Sequence, residues 1–143
     1  MGTGPAFATA VKMAKPNSRV VLITGDGSIG LAPGLTPLET AIDRDIAVTV
    51  VVANNAQWGM IKNQQKEMWG REMGTSLRDV DYYKIFEAAG AHSSLVLDAK
   101  DLPNAVQKAW SSNKPSFIEV KTSPDPSLMT KGLVEMRVRT AIE

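Results

Sequence analysis

Between Ile46 and Ala53 the sequence is apolar and rich in β-branched side chains, interrupted only by Thr49, and it halts abruptly at Asn54 and Asn55. A run without polar alternation fits a strand buried on both faces, the kind found in parallel sheets covered by helices. It is far too short to cross a bilayer. A second β-branched run, Arg19 to Thr24, predicts another buried strand and delivers Gly25 to its carboxyl end. Shorter strands are expected at Ser94–Leu97 and Ser116–Val120.

Helical spacing fills the intervals. Phe7, Ala8, Val11 and Ala14 share a face over Gly4–Ala14, where Pro5 is tolerated in the first turn. A short helix is expected from Leu38 to Asp43 after a Gly30–Pro37 loop, and another over Met60–Trp69, followed by a polar stretch from Gly70 to Arg78. Asp81 is placed to cap a helix bearing Tyr82, Ile85, Phe86 and Ala89, with Gly90 as its stop. Asp101 is placed to cap one bearing Leu102, Ala105, Val106, Ala109 and Trp110. Strand and helix therefore alternate, which predicts an α/β fold: a three-layer αβα domain with a mostly parallel sheet over residues 1–128. Residues 129–143 have a weak pattern and form a tail of uncertain structure. In such sheets ligands sit at the carboxyl ends of strands, so Gly25–Ser28 and Asn54–Gln57 should face one crevice.

Composition removes whole classes of function. Sixteen Lys plus Arg face fifteen Asp plus Glu among 143 residues, and no basic stretch is interleaved with aromatics, so neither nucleic acid nor an anionic membrane is an expected partner. Cysteine is absent, which excludes disulfides and thiolate chemistry. With no signal-peptide pattern, a soluble cytoplasmic protein is expected.

The string Gly25-Asp26-Gly27-Ser28-Ile29-Gly30 matches the dinucleotide fingerprint letter for letter and follows a strand. That fingerprint needs a helix beginning within its glycines, and Pro33, Gly34 and Pro37 interrupt the region. It also needs an acid at the end of the next strand, where this chain has two asparagines. The same residues fit a magnesium–diphosphate site better. Asp26 offers a hard anionic oxygen from a compact turn, and Asn55 offers an amide oxygen from a neighbouring strand end. A backbone carbonyl, a water and two diphosphate oxygens would complete an octahedral shell. Glycines let backbone amides approach the phosphates.

Gly25-Asp26-Gly27 and Asn54-Asn55, with Ser28 to Ala53 between, resemble the motif of thiamine-diphosphate-dependent enzymes. The resemblance implies the thiamine-diphosphate-binding fold, with thiamine diphosphate and Mg2+ as cofactors. Asp26 and Asn55 would be the side-chain metal ligands and Gln57 would supply its backbone carbonyl, while Gly27 and Ser28 would lie against the diphosphate. Gly2 and Thr3 belong to a segment, Met1 to Pro5, that is similar to the family's glycine-rich cofactor-holding lead-in. Asn54 to Gln65, including Trp58-Gly59-Met60, is most similar to the acetolactate synthase branch, and Trp58 and Met60 are candidates to line the thiamine or substrate cavity. Sulfoacetaldehyde acetyltransferase and oxalyl-CoA decarboxylase have comparable Asn-Asn regions.

On this resemblance the expected chemistry is decarboxylation of a 2-keto acid and transfer of the two-carbon unit. An acyl-CoA decarboxylase or lyase, a sulfoacetaldehyde acetyltransferase and a non-catalytic cofactor-binding or assembly subunit are the alternatives. The family's activating glutamate comes from a separate pyrimidine-binding domain that nothing here matches, so no residue of this chain is assigned a catalytic role. Glu39 is expected to be structural. The strand that normally precedes the glycine-rich lead-in is also not visible. A partner domain or subunit, exposed apolar surface and a homo- or hetero-oligomer are the consequence. His92 is expected at the surface or in packing, Trp110 and Phe86 in the core, and Trp69 with Arg71–Arg78 in a lid or interface. Arg71 and Arg78 are candidates to meet a substrate carboxylate.

Overall fold

The computed structural model describes residues 1–30 and 35–125. The Pro33-Gly34 loop and the 129–143 tail lie outside them. Four parallel strands form one sheet among the described residues: β1 (Val20–Gly25), β2 (Val48–Asn54), β3 (His92–Val96) and β4 (Ser116–Lys121), in the order β1-β2-β4-β3. Helices α1 (Gly4–Ala14), α2 (Asp26–Ile29), α3 (Thr36–Asp43), α4 (Gly59–Trp69), α5 (Tyr82–Ala88) and α6 (Leu102–Ser112) connect and flank them, with one 3-10 turn at Ala99–Asp101.

Burial explains the long apolar run. β2 lies between β1 and β4, and Val48, Val50 and Val52 join Ile29, Leu38, Phe86 and Phe117 in one core on one face of the sheet. Val51 and Ile118 point the other way, into a smaller core with Val96, Ala105 and Ala109 beneath α6. Phe86 and Phe117 stack with centroids 4.1 Å apart, which ties α5 to β4. The three-layer α/β expectation holds, and the register pairs Gly25 with Ala53. The two strand ends that carry the motif thus come out side by side.

Several local expectations are corrected. β3 occupies His92–Val96 rather than Ser94–Leu97, because its pairing with β4 begins at His92 opposite Ser116 and the His92 amide bonds the Pro115 carbonyl at 2.9 Å. α3 begins at Thr36, with Pro37 in its first turn, where a missing N–H costs nothing. A helix does begin inside the glycines, but Asp26–Ile29 is a single turn. Neither Asp81 nor Asp101 makes a side-chain cap bond. Asp81 pairs instead with Lys84 at 2.6 Å, and the cap in the second case is Asp98, which accepts from the Lys100 amide at 3.0 Å. On α1, Ala8 and Thr9 are buried while Phe7 is 69% exposed. Val11, Val21, Ile23, Met60, Met68 and Trp69 are exposed as well, so apolar surface is available for a partner. Trp110 is half-buried rather than core, with the Arg19 guanidinium 4.6 Å above its ring.

Candidate functional site

β1 and β2 end together, and each turns sharply. After Gly25 the chain enters the one-turn α2, which buries Asp26 to 4% exposure. After Asn54 it passes through Asn55 and Ala56, where Ala56 takes φ +53°, a left-handed conformation uncommon for a side chain with a Cβ. Gln57, the next residue, is buried.

Asp26 is the electrostatic centre of this region. Burial raises its pKa above the ordinary aspartate value, and backbone hydrogen bonding from Gly27, Gln57 and Ala56 opposes that rise only in part. One of its oxygens, Oδ2, is buried with no hydrogen-bond partner among the described residues. A buried carboxylate oxygen left bare is costly unless a cation or donor occupies its open side. The carboxylate contacts peptide groups of both strand ends, so one side chain spans the two halves of the motif.

Space is tight around it. A Cβ on Gly27 would meet Trp58 Cε3 at 2.9 Å and Cζ3 at 3.0 Å, so the indole lies flat on the glycine. Trp58 is therefore a packing element of the motif itself. A Cβ on Gly59 would come within 3.2 Å of Asn55 Nδ2, and glycine there leaves that amide its position. Gly2, at φ 82°, donates its amide to Ser28 Oγ at 3.0 Å, which brings the glycine-rich lead-in onto the second half-turn of α2. Thr3 is the exposed N-cap residue of α1.

The structure thus assembles Gly2, Gly25, Asp26, Gly27, Ser28, Asn55, Gln57, Trp58 and Gly59 at one end of the sheet. Met60 follows on α4, 71% exposed, and does not line an enclosed wall in this chain. Arg71, Arg78 and Glu39 are exposed, and His92 is half-buried at the start of β3, the opposite end of the sheet. Among the described residues no three His, Cys, Asp or Glu side chains cluster as an all-protein metal cage. The donors gathered here are one carboxylate, amide oxygens and backbone carbonyls, a set suited to a hard cation that shares its shell with phosphate oxygens. No helix among the described residues is long and apolar enough to cross a membrane.

Other residues of this region were not singled out from the sequence. Lys62 Nζ bonds Gln57 Oε1 at 2.7 Å and lies 3.6 Å from Glu72, which pins α4 to the loop after β2. Tyr82 sits against Gly30, where a Cβ would be 2.8 Å from its hydroxyl; burial, then the charges of Asp26 and Glu119, raise its pKa. Glu119 is fully buried beside Asn54. Its signal was present in the sequence: a glutamate in the middle of Ser116–Val120, a run otherwise suited to a core strand.

A parallel α/β domain in which Gly-Asp-Gly and Asn-Asn stand side by side at adjacent strand ends defines a class of diphosphate-binding domains. Residues 1–120 match the thiamine pyrophosphate enzyme C-terminal TPP binding domain family, and the chain belongs to that family. It is 34% identical over 125 residues to the acetolactate synthase large subunit of Mycobacterium tuberculosis, covering 87% of this chain and 22% of that protein. It is 29% identical over 111 residues to the 2-hydroxyacyl-CoA lyase 2 of Danio rerio, covering 76% and 18%. The structure superposes on a thiamine diphosphate-dependent 4-hydroxybenzoylformate decarboxylase of Rhodococcus jostii with a TM-score of 0.81 at 29% identity, covering 89% of this chain and 24% of that one. The chain thus spans about a fifth of the length of the two curated relatives.

Proposed function

We propose that this chain is the diphosphate- and magnesium-holding part of a thiamine-diphosphate-dependent enzyme of acetolactate-synthase type, acting on a 2-keto acid and transferring its two-carbon unit. The observation that carries the metal is the bare, buried Oδ2 of Asp26 at the junction of two strand ends. Asp26 and Asn55 hold Mg2+ through side-chain oxygens, and Gln57 holds it through its carbonyl. Gly25, Gly27, Ser28, Gly2 and Thr3 accommodate the diphosphate, with Trp58, Gly59 and Met60 at the edge of the thiamine site. When bound, the cofactor supplies the electron sink for decarboxylation.

The chain's own contribution is placement. Asp26 offers a carboxyl oxygen without a hydrogen-bond partner to a cation, the Trp58 ring pressed on Gly27 fixes the turn, and the Gly2–Ser28 bond holds the lead-in against it. The activating group and much of the substrate grip belong to a partner domain or subunit, and the exposed apolar side chains of α1, β1 and α4 offer it a surface. The likeness to a 2-hydroxyacyl-CoA lyase supports a second reading, in which the same site serves cleavage of an acyl-CoA.

Calorimetric titration of thiamine diphosphate into the chain, with and without Mg2+, tests the cofactor reading. Metal-dependent binding that disappears in Asp26→Ala is expected. No binding with magnesium, even after a pyrimidine-binding domain from a relative is added, overturns it.

A further inference from the structure

The proposed ligands leave two fully buried polar side chains beside them without a task. Asn54 is 2% exposed and Glu119 is 0% exposed. Glu119 sits in β4 opposite Val52, and Asn54 lies two residues beyond Val52 on β2, so their side chains meet diagonally on one face of the sheet. Asn54 Nδ2 donates to Glu119 Oε1 at 2.7 Å and to the Val80 carbonyl at 3.1 Å. Asn54 Oδ1 accepts from the Ala56 amide at 3.0 Å.

The chemistry of Glu119 dictates which way that amide faces. A carboxylate only accepts, so the NH2 end of Asn54 must turn toward it and the carbonyl end must turn toward Ala56. Glu119 is itself held by the Tyr83 amide at 3.0 Å and by Lys121 Nζ at 2.8 Å. Burial works against the Lys121 charge, but hydrogen bonds to Asp79 and Glu119 outweigh it and raise its pKa. A buried carboxylate this well paired is rigid, and removing one partner exposes the rest to an unmatched charge. At the far end of the relay stands Ala56, the left-handed residue between Asn55 and Gln57. Its carbonyl is held too, by the Leu77 amide at 2.8 Å.

We propose that Glu119 and Asn54 are a positioning pair: the carboxylate sets the orientation of the Asn54 amide, which locks Ala56 in its left-handed turn and so aims the oxygens of Asn55 and Gln57 at the cation. The inference rests on the site reading above, and neither residue touches the metal. It explains why the strand ends in two asparagines with different work to do. Asn54 shapes the loop and Asn55 offers the ligand.

The test inverts the polarity of the pair. Glu119→Gln sets an NH2 group among the donors of Asn54, Tyr83 and Lys121. Asn54→Asp sets two carboxylates against each other. In the double variant the new carboxylate at position 54 accepts from the Ala56 amide and from the new side-chain amide at position 119, whose oxygen still accepts from Tyr83, while the Val80 carbonyl loses its donor. Two readouts apply. Amide hydrogen exchange at Ala56 in the cofactor-free chain reports the lock, and Mg2+ titration at fixed thiamine diphosphate reports the ligand geometry. Each single variant is expected to speed Ala56 exchange and to weaken Mg2+ affinity by about 10–100-fold, the usual effect of losing a group that orients a ligand. The double variant is expected to lose less than the two single variants do together, because the contact between positions 54 and 119 is matched again while the Val80 carbonyl is not. If Asn54→Asp does not fold, Glu119→Gln decides. Unchanged exchange and affinity in Glu119→Gln, or double-variant losses equal to the sum of the single ones, overturn the proposal. A parent chain that binds no cofactor overturns the site reading instead, and Ala56 exchange still decides whether the pair locks the turn.

Discussion

Replacing Asp26 by Asn should make the cofactor-free chain more stable and the cofactor-loaded chain less so. The side chains are nearly isosteric, so the change is chiefly electrical. In the parent, Asp26 is 4% exposed, Oδ2 has no partner among the described residues, and burial dominates the upward pKa shift. A folded-state pKa above the unfolded value means that the native chain binds this proton more tightly. The associated stability is complete below the ordinary value of 3.8 and is lost as pH rises through the raised folded value. Above that raised value the parent bears the full cost of a buried charge, and between the two values it bears part of it. The Asn variant avoids that cost but gives up charge-assisted contacts to the Gly27, Gln57 and Ala56 backbone. A net gain of about 1 kcal/mol, or about 3 °C in Tm for a chain of this size, is expected at pH 7. The gap should close as pH falls, because the parent becomes neutral at Asp26. Thiamine diphosphate with Mg2+ at about 100 times its Kd should then reverse the order, adding about 2.7 kcal/mol to the parent and nothing to the variant. Thermal melts monitored by circular dichroism at pH 7 and near pH 4, with and without cofactor, measure all of these. An Asn variant that melts below the parent at pH 7, or one whose Tm still rises with the cofactor, would refute the assignment of Asp26 as a strained carboxylate awaiting a cation.

Two further substitutions probe what surrounds that carboxylate. Gly27→Ala sets a methyl group 2.9 Å from the Trp58 ring, which has no flexible end to move, so about 1–3 kcal/mol of destabilisation and an altered near-ultraviolet tryptophan signal are expected; an unchanged melt and signal would show that the indole does not rest on the motif. Phe86→Ala removes the ring stacked on Phe117 in the main core and should cost about 3–5 kcal/mol by urea denaturation, whereas a loss below about 1 kcal/mol would place the core elsewhere.

β2 was legible because a parallel strand buried on both faces leaves a nearly unbroken apolar run up to its closing asparagine, whereas β1, expected to be buried from the same kind of run, exposes Val21 and Ile23. Helix faces were less legible. Phe7 and Val11 have the spacing of a core stripe, but they lie exposed on α1, and spacing alone does not say which stripe meets this sheet and which meets another surface. Caps misled for a similar reason. Asp81 and Asp101 have the right residue type at the right place, but Asp81 found a stronger partner in Lys84, and Asp98 initiated its turn three residues before Asp101.

The motif was legible as letters, yet its assembly depends on something that no local string records. Gly25-Asp26-Gly27 and Asn54-Asn55 become one site only because β1 and β2 pair in parallel with Gly25 opposite Ala53. Between β2 and β4, a register shifted by one residue would turn Asn54 to the other face of the sheet, away from Glu119, and would take from that buried carboxylate one of the three donors that hold it. The buried glutamate of the fourth strand therefore penalises any pairing that misplaces the asparagines of the second. The same contact that is proposed to shape the loop also discriminates between registers, and that double duty accounts for a full charge in the middle of a strand otherwise made for the core.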